Sequence, residues 1–338
     1  MNSGLWLKKV VAKIDRLDAE LILAEVLGVS RAGLHAHPER ILTDTEVTLA
    51  DGMVARRGKG EPVAYIVGWK EFFGRKFEVN RDVLVPRPET EALVEAIIDL
   101  GPRKVLDVGT GSGVIAISLA LELLGVGVVG LDISEKALGV ARSNAEELGA
   151  KVEFLKSDLL GVDAEKNPHS VLEENTLRAR PSLRGAGAGV RLEVDDQRSS
   201  LPQFPLEYCA DSSECAGLRS VGAGVRLEVF SGGMESGDSV KVLGLFDVIV
   251  ANLPYVDRGW WWNSGELGFE PEDALFAGDG GLELIKRLVV QAPEHLERGG
   301  RLVLEADEVQ HGEIIEFTEA FGWELERIWG LALVFRLG

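Results

Sequence analysis

Cysteine is nearly absent from this chain of 338 residues, which contains only Cys209 and Cys215. Two cysteines are too few for a disulfide scaffold, and the five residues between them do not match a metal-binding spacing. No apolar run reaches the ~18 residues that a membrane span needs. The first residues also lack the basic-then-apolar order of a signal peptide. We therefore expect a cytoplasmic protein with no metal site and no membrane partner.

An excess of positive charge is also absent, since 36 Lys and Arg residues are outnumbered by 55 Asp and Glu residues and the formal net charge is −19. The imbalance is confined to one part of the chain: residues 1–85 carry a net charge of +1 and residues 86–338 carry −20. Binding along nucleic acid depends on clustered Lys and Arg. The composition therefore argues against a stable nucleic-acid partner, and any RNA contact would fall on the amino-terminal part.

The first 70 residues are predicted to form a small helical bundle. Gly28 is a plausible helix stop, Ser30 can cap a following short helix, and residues 43–46 begin another that runs to about residue 57. The preceding apolar residues share the spacing of one helix face: Ala19, Ile22, Leu23, Val26 and Leu27. A bundle of this kind either docks a substrate or is a structural cap.

The pattern changes after the bundle. Residues 72–79 and 82–85 suggest two short strands around an Asn80-Arg81 turn, so residues 71–85 are predicted to be a hairpin linker. Residues 86–338 then alternate between strand and helix, beginning with a helix opened by residues 86–91, and they end in two apolar runs around Gly330. This order predicts an α/β fold, a doubly wound Rossmann-like sheet with a terminal antiparallel hairpin. The predicted strands are 104–107, 126–132, 152–155, 246–251 and 301–305, and the predicted helices are 112 onward, 134–148 and 282–296.

An insert at about 161–245 interrupts this alternation. It contains two similar segments, residues 183–194 and 218–229, which are identical at ten of their twelve positions. Each copy ends in an apolar/polar alternation that is typical of a strand, so the copies could pair with each other on the rim of the enzyme. The alternative is a passive repeat that is tolerated on the surface, since two copies are fewer than a solenoid needs.

A glycine-rich turn follows the first predicted strand of the sheet. Such a turn lets the backbone approach a nucleotide-like cofactor at the start of a helix, and it fits a nicotinamide cofactor or S-adenosylmethionine equally well. Asp132, at the end of the next strand, could accept the ribose hydroxyls, although it could also cap the following helix. Asp158 and Leu159 follow the third strand, where an adenine amino group needs an acceptor. The residues of the turn are Asp107, Gly109, Thr110, Gly111, Ser112 and Gly113.

A second polar turn follows the apolar strand at residues 246–250. Its residues are Asn252, Leu253, Pro254 and Tyr255. An asparagine side-chain oxygen and the following main-chain carbonyl can accept both hydrogens of an NH2 group, and an aromatic ring can lie flat against that group. The two turns together predict methyl transfer to a planar nitrogen, with these four residues as the catalytic set.

At these motifs the chain resembles the glutamine N5-methyltransferases that modify peptide chain release factors, the HemK/PrmC family. The similar runs are residues 60–68, 85–91, 107–113, 269–271 and 304–305. The resemblance implies a class I methyltransferase fold and an S-adenosylmethionine site at the glycine turn, Asp132, Asp158 and Leu159, with Asn252 beside it. It also implies a glutamine site at residues 252–255 and a release factor as protein partner. We further expect Arg87 to contact the substrate and the protein to be a monomer.

The chain departs from the family's Asn-Pro-Pro-Tyr tetrapeptide at Leu253, which replaces the first proline. The main-chain carbonyl is kept, but the rigidity of one ring is lost. The Asn-Leu-Pro-Tyr form also resembles rRNA adenine N6-dimethylases. Three functions therefore stay open: a release-factor methyltransferase docked by its helical segment, an adenine N6-methyltransferase acting on RNA or DNA, and an inactive binding module whose pocket is blocked by the insert. Trp260, Trp261 and Trp262 could pack on the sheet edge or contact the protein substrate.

Overall fold

The computed structural model describes residues 1–161, 190–194, 219–221, 225–229, 244–260 and 266–338. The chain divides into two compact units, and the first consists of Met1–Glu165 together with Leu243–Gly338. The second unit is Lys166–Val242. Cys209, Cys215, Trp261 and Trp262 lie outside the described residues.

Five helices form the amino-terminal part of the first unit. Their ends follow the capping signals of the sequence: Gly28 ends α2 in the left-handed conformation, and the Ser30 hydroxyl accepts from Gly33 N at 3.1 Å at the start of α3. Thr43 and Glu46 form a capping box before α4. The predicted helical bundle is therefore confirmed. The helices are α1 (Ser3–Val10), α2 (Arg16–Leu27), α3 (Arg31–Ala36), α4 (Asp44–Arg57) and α5 (Val63–Val67).

The bundle packs around its own apolar core and is joined to the rest of the unit by polar contacts. Trp6 and Leu23 lie fully buried in that core. Arg57 at the end of α4 bridges Asp18 of α2 and Glu266, which lies far along the chain. The Tyr65 hydroxyl donates to Val83 O at 2.5 Å. These contacts connect the bundle to the segment that leads into the sheet and to the loop after the strand at residues 246–251.

The hairpin after the bundle lies earlier than the sequence predicts. Strands β1 (Trp69–Phe72) and β2 (Arg75–Glu78) pair antiparallel around a Phe73-Gly74 turn, and both turn residues have positive φ, 48° and 71°. Asn80 does not turn a hairpin; its side chain instead accepts from Asp82 N at 2.8 Å in a local turn. The prediction of strands at 72–79 and 82–85 was therefore wrong in the positions of both strands and of the turn between them.

A seven-stranded sheet forms the centre of the first unit. Its strands are β3 (Lys104–Val108), β4 (Gly127–Asp132), β5 (Val152–Lys156), β9 (Phe246–Ala251), β10 (Leu296–Glu305), β11 (Trp323–Trp329) and β12 (Ala332–Leu337). Their order in the sheet is β11-β12-β10-β9-β3-β4-β5. Neighbours from β10 to β5 are parallel, and β12 runs antiparallel between β10 and β11. The predicted doubly wound sheet with a terminal antiparallel hairpin is confirmed.

Helices cover both faces of the sheet, and two apolar cores fill the layers. One core contains Leu93, Ile97 and Ile117, and the other contains Ile285 and Leu288. The helix at His311–Ala320 was not predicted. No helix in the described part of the chain is long and apolar enough to cross a membrane. The helices are α6 (Glu91–Leu100), α7 (Val114–Glu122), α8 (Glu135–Leu148), α9 (Glu283–Gln291) and α10 (His311–Ala320).

The second unit contains a small sheet of its own. Its strands are β6 (Val190–Val194), β7 (Arg219–Val221) and β8 (Val225–Val229). Strands β6 and β8 have the same sequence, one from each copy of the duplication, and they pair antiparallel with Val190 opposite Val229. The structure therefore agrees with the interpretation in which the copies pair with each other. The prediction that the insert lies on the rim falls outside the described residues and stays a prediction.

Candidate active site

Two neighbouring parallel strands, β3 and β9, bring the two predicted turns together. Val108 pairs with Ala251, so the chain leaves both strands at the same edge of the sheet, in the glycine turn and in the Asn252 turn. A methyl group added at Gly109 would lie 3.0 Å from Leu253 Cδ2 and 3.8 Å from the Asn252 carbonyl oxygen. The turns therefore approach each other closely at Gly109, and its φ of 75° also favours glycine here.

The glycine turn is held in shape by strand β4 and by its own backbone geometry. Gly109, Gly111 and Gly113 all have positive φ, 75°, 57° and 83°. The amides of Gly109 and Thr110 both donate to Leu131 O, at 2.9 and 2.8 Å. Ser112 is buried, and its carbonyl accepts from the side chain of Asn144 on α8 at 2.9 Å. Protein contacts alone thus hold the turn in this shape.

Asp107 lies beneath this turn and has no exposed surface. One carboxylate oxygen accepts from the Thr110 hydroxyl at 2.7 Å and from Ala116 N at 3.2 Å, whereas Oδ1 has no hydrogen-bond partner. Burial raises the pKa of Asp107 to about 7, against the lowering effect of these bonds. The structure thus shows Asp107 supporting the turn and the start of α7.

Asp132 lies at the end of β4, next to the glycine turn. Its two oxygens accept from Gly111 N at 2.9 Å and from Ser134 N at 2.8 Å, and burial raises its pKa. Ser134 itself caps α8 by accepting from Ala137 N. Asp132 therefore couples the turn to the helix start, and its carboxylate retains acceptor capacity for a further donor.

Asp158 and Leu159 follow β5 at the same edge of the sheet. Arg287 of α9 donates to Asp158 Oδ2 at 3.0 Å, so this carboxylate already has a cationic partner. Leu159 is buried and has a φ of 49°, which is uncommon for a residue with a branched side chain. The turn is well defined, and the expected contact of Asp158 with an adenine amino group stays a prediction.

The Asn252 turn is held by contacts from three other segments. The Asn252 amide nitrogen donates to the Thr90 hydroxyl at 3.0 Å, and the Tyr255 hydroxyl donates to Glu305 Oε1 at 3.3 Å. Gln310 Nε2 donates to Tyr255 O and to Gly280 O, both at 2.9 Å. Leu253 is buried in the core below the turn, whereas Asn252, Pro254 and Tyr255 are half-buried.

Glu305, the last residue of β10, lies in the centre of this cluster and is 1% exposed. Burial raises its pKa to about 7, opposed by hydrogen bonding from Thr90, Tyr255 and Asn252 and reinforced by the negative charge of Glu89. Burial also raises the pKa of Tyr255, together with the charge of Glu305. Tyr255 is therefore a neutral hydrogen-bond donor at physiological pH.

Arg87 does not extend freely towards a substrate. Its guanidinium donates to Glu270 Oε1 at 2.6 Å, and the other oxygen of this buried carboxylate accepts from Val85 N at 3.0 Å. Glu270 thus ties residues 85–87 to the loop after β9. With about a third of its side chain exposed, Arg87 keeps other guanidinium N–H groups for a ligand.

Three residues of the cluster received no role from the sequence: Thr90, Glu270 and Glu305. A signal for Glu305 exists, because it ends a strand next to β9, and the carboxyl ends of parallel strands share an edge where ligands bind. Trp260 is half-buried after the turn. Among the described residues, no group of His, Cys, Asp and Glu side chains is arranged to hold a metal ion.

The residues present fit S-adenosylmethionine. No atom lies within 4 Å of a methyl group added at Gly111, so there is room for a ligand beside this residue, whose N–H already donates to Asp132. Asp132 offers carboxylate lone pairs for hydroxyl donors beside it. Ile133 next to Asp132 is an exposed apolar side chain, which suits the face of a planar base.

Comparison with known proteins agrees with this arrangement. Residues 7–68 match the model of the PrmC N-terminal domain, and residues 102–177 match that of a methyltransferase domain. The release factor glutamine methyltransferase of Koribacter versatilis is 36% identical over 86% of this chain and 78% of the relative. The proteins of the same name from Geobacter sulfurreducens (42% identical, 86% and 76%) and Neisseria gonorrhoeae (32% identical, 90% and 84%) are also similar. The chain belongs to the release factor glutamine methyltransferase family.

Proposed function

We propose that this protein transfers a methyl group from S-adenosylmethionine to the side-chain amide nitrogen of the glutamine in the Gly-Gly-Gln motif of a peptide chain release factor. The observation that carries the proposal is the contact between the glycine turn and the Asn252 turn, where Leu253 would meet a methyl group on Gly109 at 3.0 Å. A cofactor on the first turn and an amide on the second would be neighbours.

Asp132, the glycine turn and the Asp158-Leu159 turn would hold the cofactor. S-adenosylmethionine supplies an electrophilic methyl group on a positively charged sulfur. The open space beside Gly111 would admit the ligand, and the Asp132 carboxylate, which lies next to it, would accept hydrogen bonds from the ribose hydroxyls. Asp107 acts one layer below, because it holds Thr110 and the start of α7 in place.

The Asn252 turn would hold the glutamine amide. Asn252 Oδ1 and the Leu253 carbonyl oxygen would each accept a hydrogen bond from one N–H group of the glutamine amide. These two bonds would turn the nitrogen lone pair towards the glycine turn, and the Tyr255 ring would lie against the plane of the amide. An amide nitrogen is a poor nucleophile, so positioning supplies most of the effect, up to about 7–11 kcal/mol when geometry is near attack. The same oxygens would stabilise the positive charge that develops on the nitrogen as the methyl group leaves sulfur, and the nitrogen then loses one of its protons to solvent.

The helical bundle is proposed to dock the release factor. It matches the PrmC N-terminal domain, and residues 1–85 carry a net charge of +1 whereas residues 86–338 carry −20. Leu5 and Ile41 expose 57% and 72% of their surface on this bundle, which suits a protein partner. We further propose a monomer that acts in the cytoplasm, where release factors work, without a stable nucleic-acid partner.

A direct competition tests the function. The protein is incubated with labelled S-adenosylmethionine, a purified release factor and total ribosomal RNA. We expect label in the release factor. Label in RNA alone would favour the adenine N6-methyltransferase, which the Asn-Leu-Pro-Tyr turn also permits. Absence of any binding heat with S-adenosylmethionine in calorimetry would favour an inactive module whose pocket is blocked.

A further inference from the structure

The orientation of the Asn252 side chain decides whether the proposed site works. A side-chain amide has an oxygen on one side and an NH2 group on the other. When Oδ1 faces the substrate, Asn252 accepts a hydrogen bond from an N–H group of the glutamine amide. If the group were turned over, two NH2 groups would face each other. The protein therefore needs a device that fixes the direction of this amide.

Within the protein, the Asn252 side-chain amide is hydrogen-bonded to the Thr90 hydroxyl, which lies 3.0 Å from Nδ2. A hydroxyl can both donate and accept, so it can bond to either end of an amide. Thr90 by itself leaves both orientations open. What settles the direction is the group to which Thr90 gives its own hydrogen.

Glu305 is that group. The Tyr255 hydroxyl donates to its Oε1 at 3.3 Å, and the Thr90 hydroxyl and the Asn252 amide also act to lower the pKa of its carboxyl. Glu305 is 1% exposed, and its Oε2 has no partner that satisfies hydrogen-bond geometry. An ionised carboxylate only accepts. Leu304 pairs with Ala251, so Glu305 lies beside Asn252, and its buried oxygen without a partner would draw the Thr90 hydrogen. Thr90 would then accept from Asn252.

We propose that Thr90 and Glu305 are positioning residues that orient the Asn252 amide, so that its oxygen faces the methyl acceptor. The inference rests on the proposed function, since it concerns the acceptor at the same site. Three separate segments meet to make the device: the turn before α6, the loop after β9 and the end of β10. Its parts lie at neighbouring positions in the fold although they are far apart in sequence.

The device has a pH dependence with a defined sign. The pKa of Glu305 is raised to about 7, so the carboxyl gains a proton as pH falls below that value. A protonated Glu305 can donate to Thr90, which then can donate to Asn252 Oδ1 and turn the amide over. Glu89 and Tyr255 are the ionisable groups that act on Glu305, and Arg87 and Asp307 act on Tyr255. Activity should fall on the acid side of pH 7.

The test uses Thr90→Val, Thr90→Ser and Glu305→Gln in the full chain, with the wild-type protein as reference. Thr90→Val removes the hydroxyl at similar volume, and Thr90→Ser keeps it. The side-chain amide introduced by Glu305→Gln carries a donor as well as an acceptor, so it no longer imposes one orientation on the Asn252 amide. The readouts are kcat and KM on a release factor, the pH profile of kcat, S-adenosylmethionine affinity and the unfolding temperature.

We expect Thr90→Val and Glu305→Gln each to lower kcat by about five- to tenfold, since the preference for one amide orientation is worth about one hydrogen bond. Cofactor affinity should stay unchanged, Thr90→Ser should restore most of kcat, and the double variant Thr90→Val with Glu305→Gln should be no slower than the slower single variant. The acid-side fall in kcat should disappear in Glu305→Gln. At pH 8 this variant should unfold at the same or a higher temperature, because it removes a buried negative charge.

Several outcomes would overturn the inference. One is a kcat within about twofold of wild type in Glu305→Gln, whatever Thr90→Val does, because the carboxyl would not set the direction. Another is a Thr90→Ser variant as slow as Thr90→Val. If Glu305→Gln does not fold, the comparison of Thr90→Val with Thr90→Ser decides alone. A wild-type protein that leaves the release factor unmethylated refutes the proposed function instead, which keeps the two failures distinct.

Discussion

Replacing Asn252 with alanine tests the chemistry at the turn after β9. The substitution removes Oδ1, the proposed acceptor of a substrate N–H bond, together with the 3.0 Å bond from Nδ2 to Thr90. Loss of one preorganised group at a transition-state site lowers kcat by about 10²–10³-fold, or about 2.7–4 kcal/mol. The lost bond to Thr90 contributes only about 0.5–1.5 kcal/mol to folding stability. We therefore expect a large kinetic defect in a folded protein.

The assay follows methyl transfer from labelled S-adenosylmethionine to a release factor, with cofactor affinity measured by calorimetry. Cofactor affinity should stay nearly intact, although Asn252 lies at the boundary of both sites. Leu253→Pro is the matched control, since it keeps the carbonyl and restores the family's tetrapeptide. Because Leu253 is buried in the core below the turn, this variant should lose thermal stability while its kcat stays equal or rises.

The reasoning fails if Leu253→Pro abolishes transfer to the release factor while Asn252→Ala barely changes it. In that case the acceptor would not be the Asn252 oxygen. The amide-clamp mechanism would be untenable, and the adenine alternative would gain support.

Three further predictions concern the cofactor, the second unit and folding stability. Asp132→Ala should weaken S-adenosylmethionine binding by about 1.5–3 kcal/mol in calorimetry, because hydrogen bonds to a charged acceptor are lost; unchanged affinity would mean that the ribose is held elsewhere. Replacing Lys166–Val242 with a short Gly/Ser linker should leave affinity and transfer within about a few-fold, since this segment is a separate compact unit; an insoluble or inactive product would show that the duplicated strands are needed. Arg56 and Arg81 lower the pKa of Glu61 from 4.5 to about 2, so Glu61 should stabilise the fold above pH 4.5 and lose this effect as pH falls towards 2. Glu61→Gln should therefore lower the unfolding temperature at pH 7 more than at pH 3, and equal shifts at both values would contradict this assignment.

The sheet could be predicted from the sequence because its signals are local and strong. Strands β3, β4, β5 and β9 are short apolar runs that end in turn residues, and Ser134 begins α8 with a side-chain cap. The predicted helix at 282–296 is shorter in the structure. It ends at Gln291 and continues as a 3₁₀ turn that contains Pro293, whose ring cannot continue the helical hydrogen bonding.

The hairpin was misplaced because its turn depends on a distant contact. Phe73 adopts a φ of 48°, which local rules disfavour for a bulky residue, and its amide donates to the Glu91 carboxylate of α6 at 2.8 Å. Asn80-Arg81 is the better turn by local chemistry alone. Helix α10 was missed for a related reason: of its ten residues only Ile314 and Thr318 are buried, which leaves a weak apolar stripe.

Only the two turns of the candidate site could be predicted from the sequence. The glycine turn and the Asn252 turn are contiguous motifs, so their residues could be named and their proximity inferred from parallel strands. Thr90, Glu270 and Glu305 lie far from those motifs along the chain, and only the fold brings them to the turn. Glu270 fixes Arg87, and Glu305 meets Tyr255, through contacts that no spacing rule encodes. A buried carboxylate at a strand end is the signal that sequence reasoning could have used.

Mass spectrometry of the methylated release factor tests the central claim most directly. After incubation with the protein and S-adenosylmethionine, fragmentation of the release factor should locate one methyl group on the side-chain nitrogen of the Gly-Gly-Gln glutamine. A release factor with that glutamine replaced by glutamate should stay unmodified. A methyl group on any other residue, or equal methylation of the glutamate variant, would contradict the account.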